Sequence, residues 1–481
     1  MNTGAGSQKH LFRGRSIAIY DVPRIVGRRL WRAFADAGFD VVFEGPLNRE
    51  TARNDADIWV AKWTFLFKKD FLQEFHPARG IVTLSVGTEH IDTKTLSAIG
   101  LSVENCPSFS SNSVAEHGMA LALRSVHGPS VLPSLGRGPV IFTKFSDEYA
   151  EHAVAHMLIR ARQMDESIAR AARYEYYRKD APDYRHDEPW KNAELAGTEV
   201  GIIGDERDAY RLARILRYGF NCNLCAFDVS EDLDIFNPRY MLPPEMLSTC
   251  DYIFLCTDSL GLQRPSDQEG LESRIAAELR LDRIDTPAQL ETPSLPLMGS
   301  HVAVLGTGNI GSIIARMAKL GFGCEVTAYD MHRKESLMDL GITYRADVGS
   351  AMEEADFIFI ALPLNDGTHS LVGWNELNDL PYCLERVITN ITRDQIIESD
   401  SLYCLLCDGG VTAYGTDVLP NDAALWRRAK NPDEEPDALT RKFVEHPRVI
   451  ATPHEGDCSA PSLERMCQEA LGKVIKILGD S

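Results

Sequence analysis

The chain has no uninterrupted apolar run of the roughly 20 residues that a membrane-spanning helix needs. It is also short of basic residues: 50 lysines and arginines stand against 70 aspartates and glutamates, which gives a formal net charge of −20 and a pI near 5.1. Such a surface repels nucleic-acid backbones and anionic lipids. We therefore expect neither a nucleic acid nor a membrane as a partner.

A disulfide framework is not indicated either, because the eleven cysteines are odd in number and scattered. Two CxxC spacings occur, Cys222/Cys225 in a predicted strand and Cys404/Cys407 in an apolar predicted helix. Zinc ribbons need two such pairs close together in turn-rich sequence, so buried thiols are favoured over a metal or redox site. The first residues, MNTGAGSQKHLFRG, contain no apolar signal core. We expect a cytoplasmic protein without a metal.

Short apolar runs alternate with helical patterns along most of the chain, which is typical of parallel α/β proteins. SIAIYD, DVVFEG, DIWVAK and GIVTLSV are such runs, and VGRRLWRAFADAG is one of the helical stretches. A length of 481 residues with 44% apolar content predicts two to four domains with large cores.

A complete dinucleotide-binding turn follows the strand HVAVLG. Gly306 allows the tight turn, Gly308 lets the backbone approach a pyrophosphate, and Gly311 lets helix and strand pack closely. Asp330 ends the next strand, where a carboxylate accepts ribose hydroxyls and repels a 2′-phosphate, so NAD is favoured over NADP. The basic residues 332–334 could still accommodate a phosphate, and a Rossmann-like fold without any cofactor is the alternative interpretation.

An internal repeat precedes this turn. Leu195–Asp228 aligns with Leu297–Asp330 without a gap, at an offset of 102 residues and with 11 of 34 positions identical. Upstream, SVAEHGMALAL at 113–123 is echoed by EYAEHAVAHML at 148–158. The pattern predicts duplication of a linking helix and half a nucleotide-binding domain.

The first copy of the turn, VGIIGDERDA, has lost the residues that bind phosphate. Glu206 and Ala209 stand where the second and third glycines belong, and Asp205 and Asp208 add negative charge. Side chains there block the close approach that glycine allows, and carboxylates beside phosphates are unfavourable. We expect no dinucleotide in this copy.

Three further strands of the intact copy are predicted to end in residues that suit hydride-transfer chemistry. They end at Arg393 in VITNITRD, at Asp422 in AYGTDVLPND and at His454 in RVIATPHEGD. Residues beyond the carboxyl ends of parallel strands converge on one crevice. A His paired with a carboxylate can act as general acid and base, and an Arg can bind a substrate carboxylate and polarise its carbonyl.

At this point the chain resembles the D-isomer-specific 2-hydroxyacid dehydrogenases. The matching motifs are SVGTEHID (85–92), SNSVAEH (111–117), GTGNIG (306–311), EADFIFIALPLNDGTHSLVG (354–373), NITRD (390–394), TDVLPND (416–422) and TPHEG (452–456). The resemblance implies a Rossmann-type doubly wound coenzyme domain, a flavodoxin-like substrate domain, an NAD cofactor and a small 2-keto or 2-hydroxy acid substrate.

The resemblance also implies the roles of individual residues. Arg393, Asp422 and His454 would be catalytic, backbone N–H groups around Ser85, Val86 and Gly87 would bind the substrate carboxylate, and Lys62 and Trp63 would touch its distal group unless they are only a buried strand end. The cofactor would contact Gly306, Gly308, Asn309, Ile310, Gly311, Asp330, Pro363, Thr392 and Asp417.

The expected domains are a substrate domain of residues 1–128 and 457–481, a degenerate Rossmann-like copy at 129–262, a linker with one helix at 263–296, and the NAD-binding domain at 297–456. Because such enzymes dimerise through their coenzyme domains, we expect the degenerate copy to occupy the place of a partner subunit, as an intramolecular pseudo-dimer.

Some residues depart from the family pattern. Asp422 replaces a Glu, so a longer or water-bridged pairing with His454 is expected, and Asp394 replaces a Gly. Residues 426–443 form a longer acidic loop than the family needs, interpreted as a lid, a partner surface or solvated decoration. These departures keep two other functions open: an NADH-sensing protein of the C-terminal-binding-protein type, and an inactive scaffold that binds no NAD.

Overall fold

Three parallel β-sheets carry the fold. This computed structural model describes residues 12–22, 24–62, 67–88, 90–127, 140–143, 151, 154–155, 158–159, 161–173, 193–204, 207–227, 229–256, 295–380, 386–422, 425 and 436–479. None of the helices in these ranges is both long and apolar enough to span a membrane. Trp63, Asp205, Glu206, Asp228 and the predicted linker helix lie outside the described residues.

The first sheet has the strand order β2-β1-β3-β4-β5, which is the flavodoxin-like order predicted for the substrate domain. Its strands are Ser16–Tyr20, Asp40–Gly45, Ile58–Ala61, Gly80–Thr83 and Ser102–Asn105 (β1 to β5). Its helices are Arg24–Ala37, Lys69–Leu72 and Thr93–Ala98 (α1 to α3), and Ser111–His127 (α4) leads out of this domain. The buried strands are apolar on both faces, as parallel sheets covered by helices require.

The third sheet has the order β13-β12-β11-β14-β15-β16-β17 and belongs to the region with the intact glycine turn. Its strands are His301–Leu305, Glu325–Tyr329, Thr343–Tyr344, Phe357–Ile360, Val387–Asn390, Ala413–Thr416 and Val449–Ala451 (β11 to β17). The strand order reverses between β11 and β14, and at such a switch point the carboxyl ends of parallel strands open onto a ligand crevice.

The described helices of this region are Asn309–Arg316, Glu335–Met338, Val348–Met352, Trp374–Asn378, Ser399–Asp408 and Ala438–Glu445 (α8 to α13). The final helix, Ala460–Gly479 (α14), returns to the first sheet. Leu463 and Met466 of that helix share a core with Ile17 and Val60 of β1 and β3.

The second sheet, of order β6-β10-β7-β8-β9, lies between them in the sequence. Its strands are Val140–Thr143, Glu199–Ile203, Asn223–Phe227, Arg239–Tyr240 and Tyr252–Leu255 (β6 to β10), and its helices are Met164–Ala172, Arg207–Arg214 and Pro243–Thr249 (α5 to α7). Strands β7 and β8 and helix α6 begin 102 residues before β11, β12 and α8, and each has the same length as its counterpart. Strands β10-β7-β8-β9 of the second sheet therefore lie in the same order as β14-β11-β12-β13 of the third.

Equivalent residues of the second and third sheets' domains meet at one close contact. Helices α6 and α8 each continue into a π-helical turn, Ile215–Gly219 and Met317–Gly321. A Cβ added to Gly219 would lie 3.4 Å from the Cα of Gly321. The rings of Phe220 and Phe322 meet edge to face, with centroids 6.2 Å apart.

Two buried glutamates make equivalent contacts on either side of this point. Glu116 in α4 accepts hydrogen bonds from the backbone N–H of Leu195 (2.7 Å) and Ala196 (3.0 Å). Glu151 accepts them from Leu297 (2.8 Å) and Met298 (2.7 Å). Leu195 and Leu297 are the first residues of the two repeats, so each copy of the AEH motif holds the start of one copy of the nucleotide-binding unit.

The two glycines at the close contact differ in the room around them, which gives a matched pair of substitutions. A Cβ on Gly321 would lie 2.7 Å from the Cα of Gly219, whereas one on Gly219 meets nothing closer than 3.4 Å. We expect Gly321→Ala to reduce the free energy of unfolding by about 2 kcal/mol, since two backbones must move apart. Gly219→Ala should cost much less, and equal losses in denaturant unfolding would contradict the close approach.

Candidate active site

A cavity of about 310 Å³ opens where the first domain faces the carboxyl ends of β11, β14 and β15. Many of the predicted site residues line it: Ser85, Val86, Gly87, Gly308, Asn309, Ile310, Pro363, Thr392, Arg393, Asp417 and His454. Sequence motifs from both ends of the chain therefore meet at one place. A larger hollow of about 420 Å³ near Asp347 and Glu376 shares no lining residue with this cavity.

The glycine turn has the geometry that a dinucleotide requires. Gly306 has a positive φ of 92°, and a Cβ there would lie 2.7 Å from the carbonyl oxygen of Ala361. A Cβ on Gly311 would lie 1.8 Å from the carbonyl oxygen of Gly306, whereas one on Gly308 would meet nothing within 4 Å. Two glycines are thus needed for packing, and the third leaves open space at the start of α8, where phosphates bind.

Asp330 lies directly beside this turn. Its carboxylate accepts hydrogen bonds from the backbone N–H of Thr307 (2.6 Å) and His332 (2.8 Å). Lys334, from the basic run flagged in the sequence, donates from Nζ to the carbonyl oxygen of Gly308 (3.1 Å) and to Ser312 Oγ (2.8 Å). The turn therefore carries both the predicted carboxylate and a cation at its phosphate end.

His454 and Asp422 form a direct pair. Nδ1 of His454 lies 2.7 Å from Oδ2 of Asp422, so the expectation of a longer or water-bridged contact is wrong. Burial disfavours the charged imidazole, but the carboxylates of Asp422 and Asp417 outweigh burial and hold the pKa of His454 above its ordinary value. Arg393 lines the same cavity and donates from Nη1 to the carbonyl oxygen of Thr392 (2.7 Å).

The shorter Asp422 is presented by an unusual turn. Asn421, which precedes it, has a left-handed φ of 58°. Its backbone N–H donates to Oδ2 of Asp394 at 2.9 Å, and its side-chain amide donates to Oδ2 of Asp437 at 3.0 Å. Two departures from the family pattern, Asp394 and Asp422, thus act on one turn. Burial raises the pKa of Asp394 to about 6, and the nearby Asp422 adds to the rise.

Asp417 was predicted as a cofactor contact from the resemblance, and it lines the cavity. Its carboxylate also binds the chain directly after His454, accepting from the backbone N–H of Glu455 (3.0 Å) and Gly456 (2.8 Å). Burial opposes its ionisation, but His117 Nε2 at 3.3 Å and His454 hold the pKa of Asp417 well below its usual range. Asp417 is therefore a buried carboxylate that holds the backbone directly after His454.

Near the predicted substrate contacts, the structure adds one residue to the cavity wall. Lys62 is buried, and its Nζ lies 3.4 Å from Oδ2 of Asp457. Asp457 does line the cavity, and the sequence argument missed it. Its position directly after the TPHEG motif was the signal that could have identified it.

Two other expectations need correction. Cys404 and Cys407 are exposed on α12, because that helix buries Leu402 and Leu406 instead, while Cys222 and Cys225 are buried as expected. In the predicted acidic loop, 438–445 form helix α13 with Asp437 as its N-cap, rather than one continuous loop. Among the described residues, no three His, Cys, Asp or Glu side chains form a metal cluster.

The parallel sheet, the glycine turn and its carboxylate define a Rossmann-type, NAD-binding domain. Residues 273–456 match the family described as D-isomer specific 2-hydroxyacid dehydrogenase, NAD binding domain. The match covers this NAD-binding region, which is less than half of the chain, and NAD is the cofactor of this domain.

Known proteins similar to the chain agree with this assignment. A D-lactate dehydrogenase of Staphylococcus aureus (strain MSSA476) is 26% identical over 204 residues, which are 42% of this chain and 60% of that protein. A hydroxypyruvate reductase of Thermotoga maritima is 31% identical over 183 residues, or 38% of this chain and 54% of that protein. The chain thus matches less than two thirds of the length of these relatives.

The fold extends further than the sequence similarity. The crystal structure of a D-lactate dehydrogenase from Aquifex aeolicus, complexed with NAD and lactic acid, aligns with 96% of this chain and 95% of its own. Its TM-score is 0.55 and its identity is 18%, so this likeness concerns the fold alone.

The raised pKa of Asp394 predicts a pH-dependent effect on stability. Its carboxyl ionises near 3.8 when unfolded and near 6 when folded, so ionisation costs the folded state up to about 3 kcal/mol. That cost is complete above pH 6 and absent below pH 3.8. Asp394→Asn keeps an oxygen for the Asn421 N–H, so we expect a higher thermal midpoint at pH 7.5 and a gain that fades toward pH 4.

The control is Asp366→Asn, which changes an exposed aspartate of the same domain and should leave the midpoint unaltered at either pH. A stabilisation by Asp394→Asn that does not depend on pH would contradict the assigned cause.

Proposed function

We propose that the protein is an NAD-dependent D-2-hydroxyacid dehydrogenase that interconverts a 2-keto acid and a D-2-hydroxy acid. The observation that carries this proposal is the 2.7 Å pair between His454 and Asp422, with His454 and Arg393 lining one cavity beside an intact glycine turn. The curated relatives named D-lactate dehydrogenase and hydroxypyruvate reductase support the same class of small substrate.

In this proposal the anionic end of the substrate is bound by cationic and backbone groups. Arg393 binds the carboxylate and polarises the keto oxygen. Backbone N–H groups of Ser85, Val86 and Gly87 complete the carboxylate site from the other wall of the cavity. Asp457, with Lys62 behind it, faces the remaining part of the substrate and disfavours a second negative charge there.

His454 moves the proton. Its Nδ1 is held by Asp422, so Nε2 is the atom that donates to the keto oxygen in reduction and accepts from the hydroxyl in oxidation. Because the pKa of His454 lies above 6.5, the protonated form persists above that pH, and reduction slows as the pH rises through the raised pKa. When bound, NADH supplies the hydride.

The cofactor would be held by the turn residues, with Gly308, Asn309 and Ile310 toward the phosphates and Asp330 toward the ribose. Pro363, Thr392 and Asp417 also line the cavity and are proposed to contact the nicotinamide end.

A second function is favoured by one observation: Asp457 places a carboxylate in the cavity wall. That carboxylate weakens the binding of an anionic substrate. A protein that binds NADH and reports it to a partner, with little turnover, is the alternative.

Substitution of the proposed acid tests the two functions against each other. We expect wild-type protein to oxidise NADH with at least one of a panel of 2-keto acids, and His454→Asn to reduce kcat by about 10² to 10⁴. Asn is the replacement because His454 has a left-handed φ of 53°, which Asn tolerates. The readout is NADH absorbance, with NADH affinity measured by fluorescence titration.

The matched control is His301→Asn, an exposed histidine at the opposite end of strand β11, and it should leave kcat unchanged. Turnover that survives His454→Asn would refute the mechanism. Tight NADH binding without turnover on any keto acid would instead support the sensing function.

For the degenerate copy, residues 129–262, we propose the role of a partner subunit within one chain. The contact of Gly219 with Gly321, the edge-to-face pair of Phe220 and Phe322, and the equivalent roles of Glu116 and Glu151 support an internal duplication arranged about a local two-fold axis. The other proposed units are the substrate domain, 1–128 with 457–481, and the NAD-binding domain, 297–456.

Light scattering tests this role. We expect a particle near 53.5 kDa, the mass of one chain, because the surface used by a partner is already covered. A stable dimer in which residues 129–262 lie at the periphery, as mapped by cross-linking, would be the contrary result.

A further inference from the structure

The loop that carries His454 is held in a conformation that needs support. His454 has a left-handed φ of 53°, which is unfavourable for a residue that is not glycine. The NAD-binding domain supplies one support, since Asp417 accepts the backbone N–H groups of Glu455 and Gly456. Further supports come from α4 and from the degenerate copy.

Arg162 of the degenerate copy reaches the carbonyl side of this loop. It is fully buried, and its Nη2 donates to the carbonyl oxygen of Gly456 at 2.8 Å. Its Nη1 donates to Ser113 Oγ at 2.9 Å, and that hydroxyl in turn donates to the same Gly456 oxygen at 2.6 Å. Nη2 also lies 3.4 Å from Nδ1 of His117, the histidine that contacts Asp417 through its other nitrogen.

Arg170 and Ser167 of the same copy bind the side chain next to His454. Glu455 is only 1% exposed, and both of its carboxylate oxygens are used. Ser167 donates to Oε1, and Arg170 forms an ion pair with Oε2. Farther along, Glu194 accepts hydrogen bonds from Ser459 Oγ (2.5 Å) and Arg465 (2.7 Å), where α14 begins.

Burial of these charges is costly unless each has a partner, and a face that served only to cover the NAD-binding domain could be apolar. Here the charged groups converge on residues 455–459, directly after His454. The degenerate copy lacks the glycines expected to hold phosphate, and its buried arginines contact this loop.

We propose that Arg162 and Arg170 of the degenerate copy are positioning residues for the catalytic loop, holding residues 454–457 so that His454 meets Asp422 and the cavity. This inference rests on the proposed function, because His454 is taken as the acid and base. It adds that the degenerate copy takes part in the active site without touching substrate or cofactor.

The test substitutes Arg170 in the full chain. We expect Arg170→Gln to lower kcat for keto-acid reduction at least tenfold, while the dissociation constant for NADH changes less than twofold. Arg170→Lys keeps the charge and should lose less activity than Arg170→Gln. The second readout is the titration of the His454 ring in cofactor-free protein, followed by NMR and assigned by comparison with His454→Asn.

In that titration we expect the pKa of His454 to fall in Arg170→Gln. Asp422, Asp417 and Arg393 are the charged groups that act on the ring, and displacement of the loop weakens the two carboxylate contacts that raise its pKa. If Arg170 contributed only to overall stability, its substitution would leave the pKa of His454 unchanged. If Arg170→Gln does not fold, the double variant Arg170→Gln with Glu455→Gln replaces it, because it leaves no unpaired buried charge. That variant must show both the lower kcat and the lower His454 pKa.

The control is Arg124→Gln, which breaks the 3.1 Å pair of Arg124 with Asp165 between α4 and α5 without touching the loop, and kcat and the His454 pKa should stay as in wild type. A folded Arg170 variant with wild-type kcat and an unshifted His454 pKa would overturn the proposal. The proposal would also fail if kcat and NADH affinity fell equally while the His454 pKa stayed at its wild-type value. If wild type shows no turnover, the proposed function fails, and the NMR titration alone decides the positioning role.

Discussion

The close packing of two Rossmann-like units against each other is the constraint on which the rest of the structure depends. One apolar core contains Leu212 and Phe220 of the degenerate copy together with Ile314 and Phe322 of the NAD-binding domain, and Met119 of α4 joins it. Neither unit could expose that surface to water without a large loss of stability. Approach at Gly219 and Gly321 brings the two backbones close enough for this core to close.

The same contact explains how charged groups can gather behind the active site. Asp417, Asp422 and Glu455 lie on the NAD-binding domain, and the cations that face Glu455 and the Gly456 carbonyl come from the degenerate copy. The charge balance of this cluster therefore depends on both units. A buried carboxylate such as Glu455 is tolerated because Arg170 reaches it, and the local field that raises the pKa of His454 arises from fixed rather than solvent-exposed charges.

Much of this arrangement follows from the sequence. Strand periodicity and the spacing of Gly306, Gly308 and Gly311 predict a parallel α/β protein and the turn, because both depend on local backbone geometry. The order of the strands was implied by the family resemblance. Strand ends predict that Arg393 and His454 share a cavity. The repeat offset of 102 residues predicts equivalent strands, and the structure has them in the same order.

Other features were not accessible from local pattern. The direct contact of Asp422 with His454 depends on the left-handed Asn421 and on Asp394. The short side chain of Asp422 alone suggested a longer or water-bridged contact. The contacts of Arg162, Arg170 and Ser167 with residues 455–456 span nearly 300 positions, and nothing near an arginine in the sequence indicates such a partner. The exposure of Cys404 and Cys407 depends on which side of α12 faces the core.

The return of α14 to the first sheet has a consequence for how the chain matures. Ile17 and Val60 lie in the core that α14 covers, yet that helix is synthesised about 440 residues after β1. During translation, which adds about 5 to 20 residues per second, this apolar face stays uncovered for tens of seconds. Of the three sheets, the one begun first is thus completed after the other two, and its strands expose apolar surface to other molecules throughout that time.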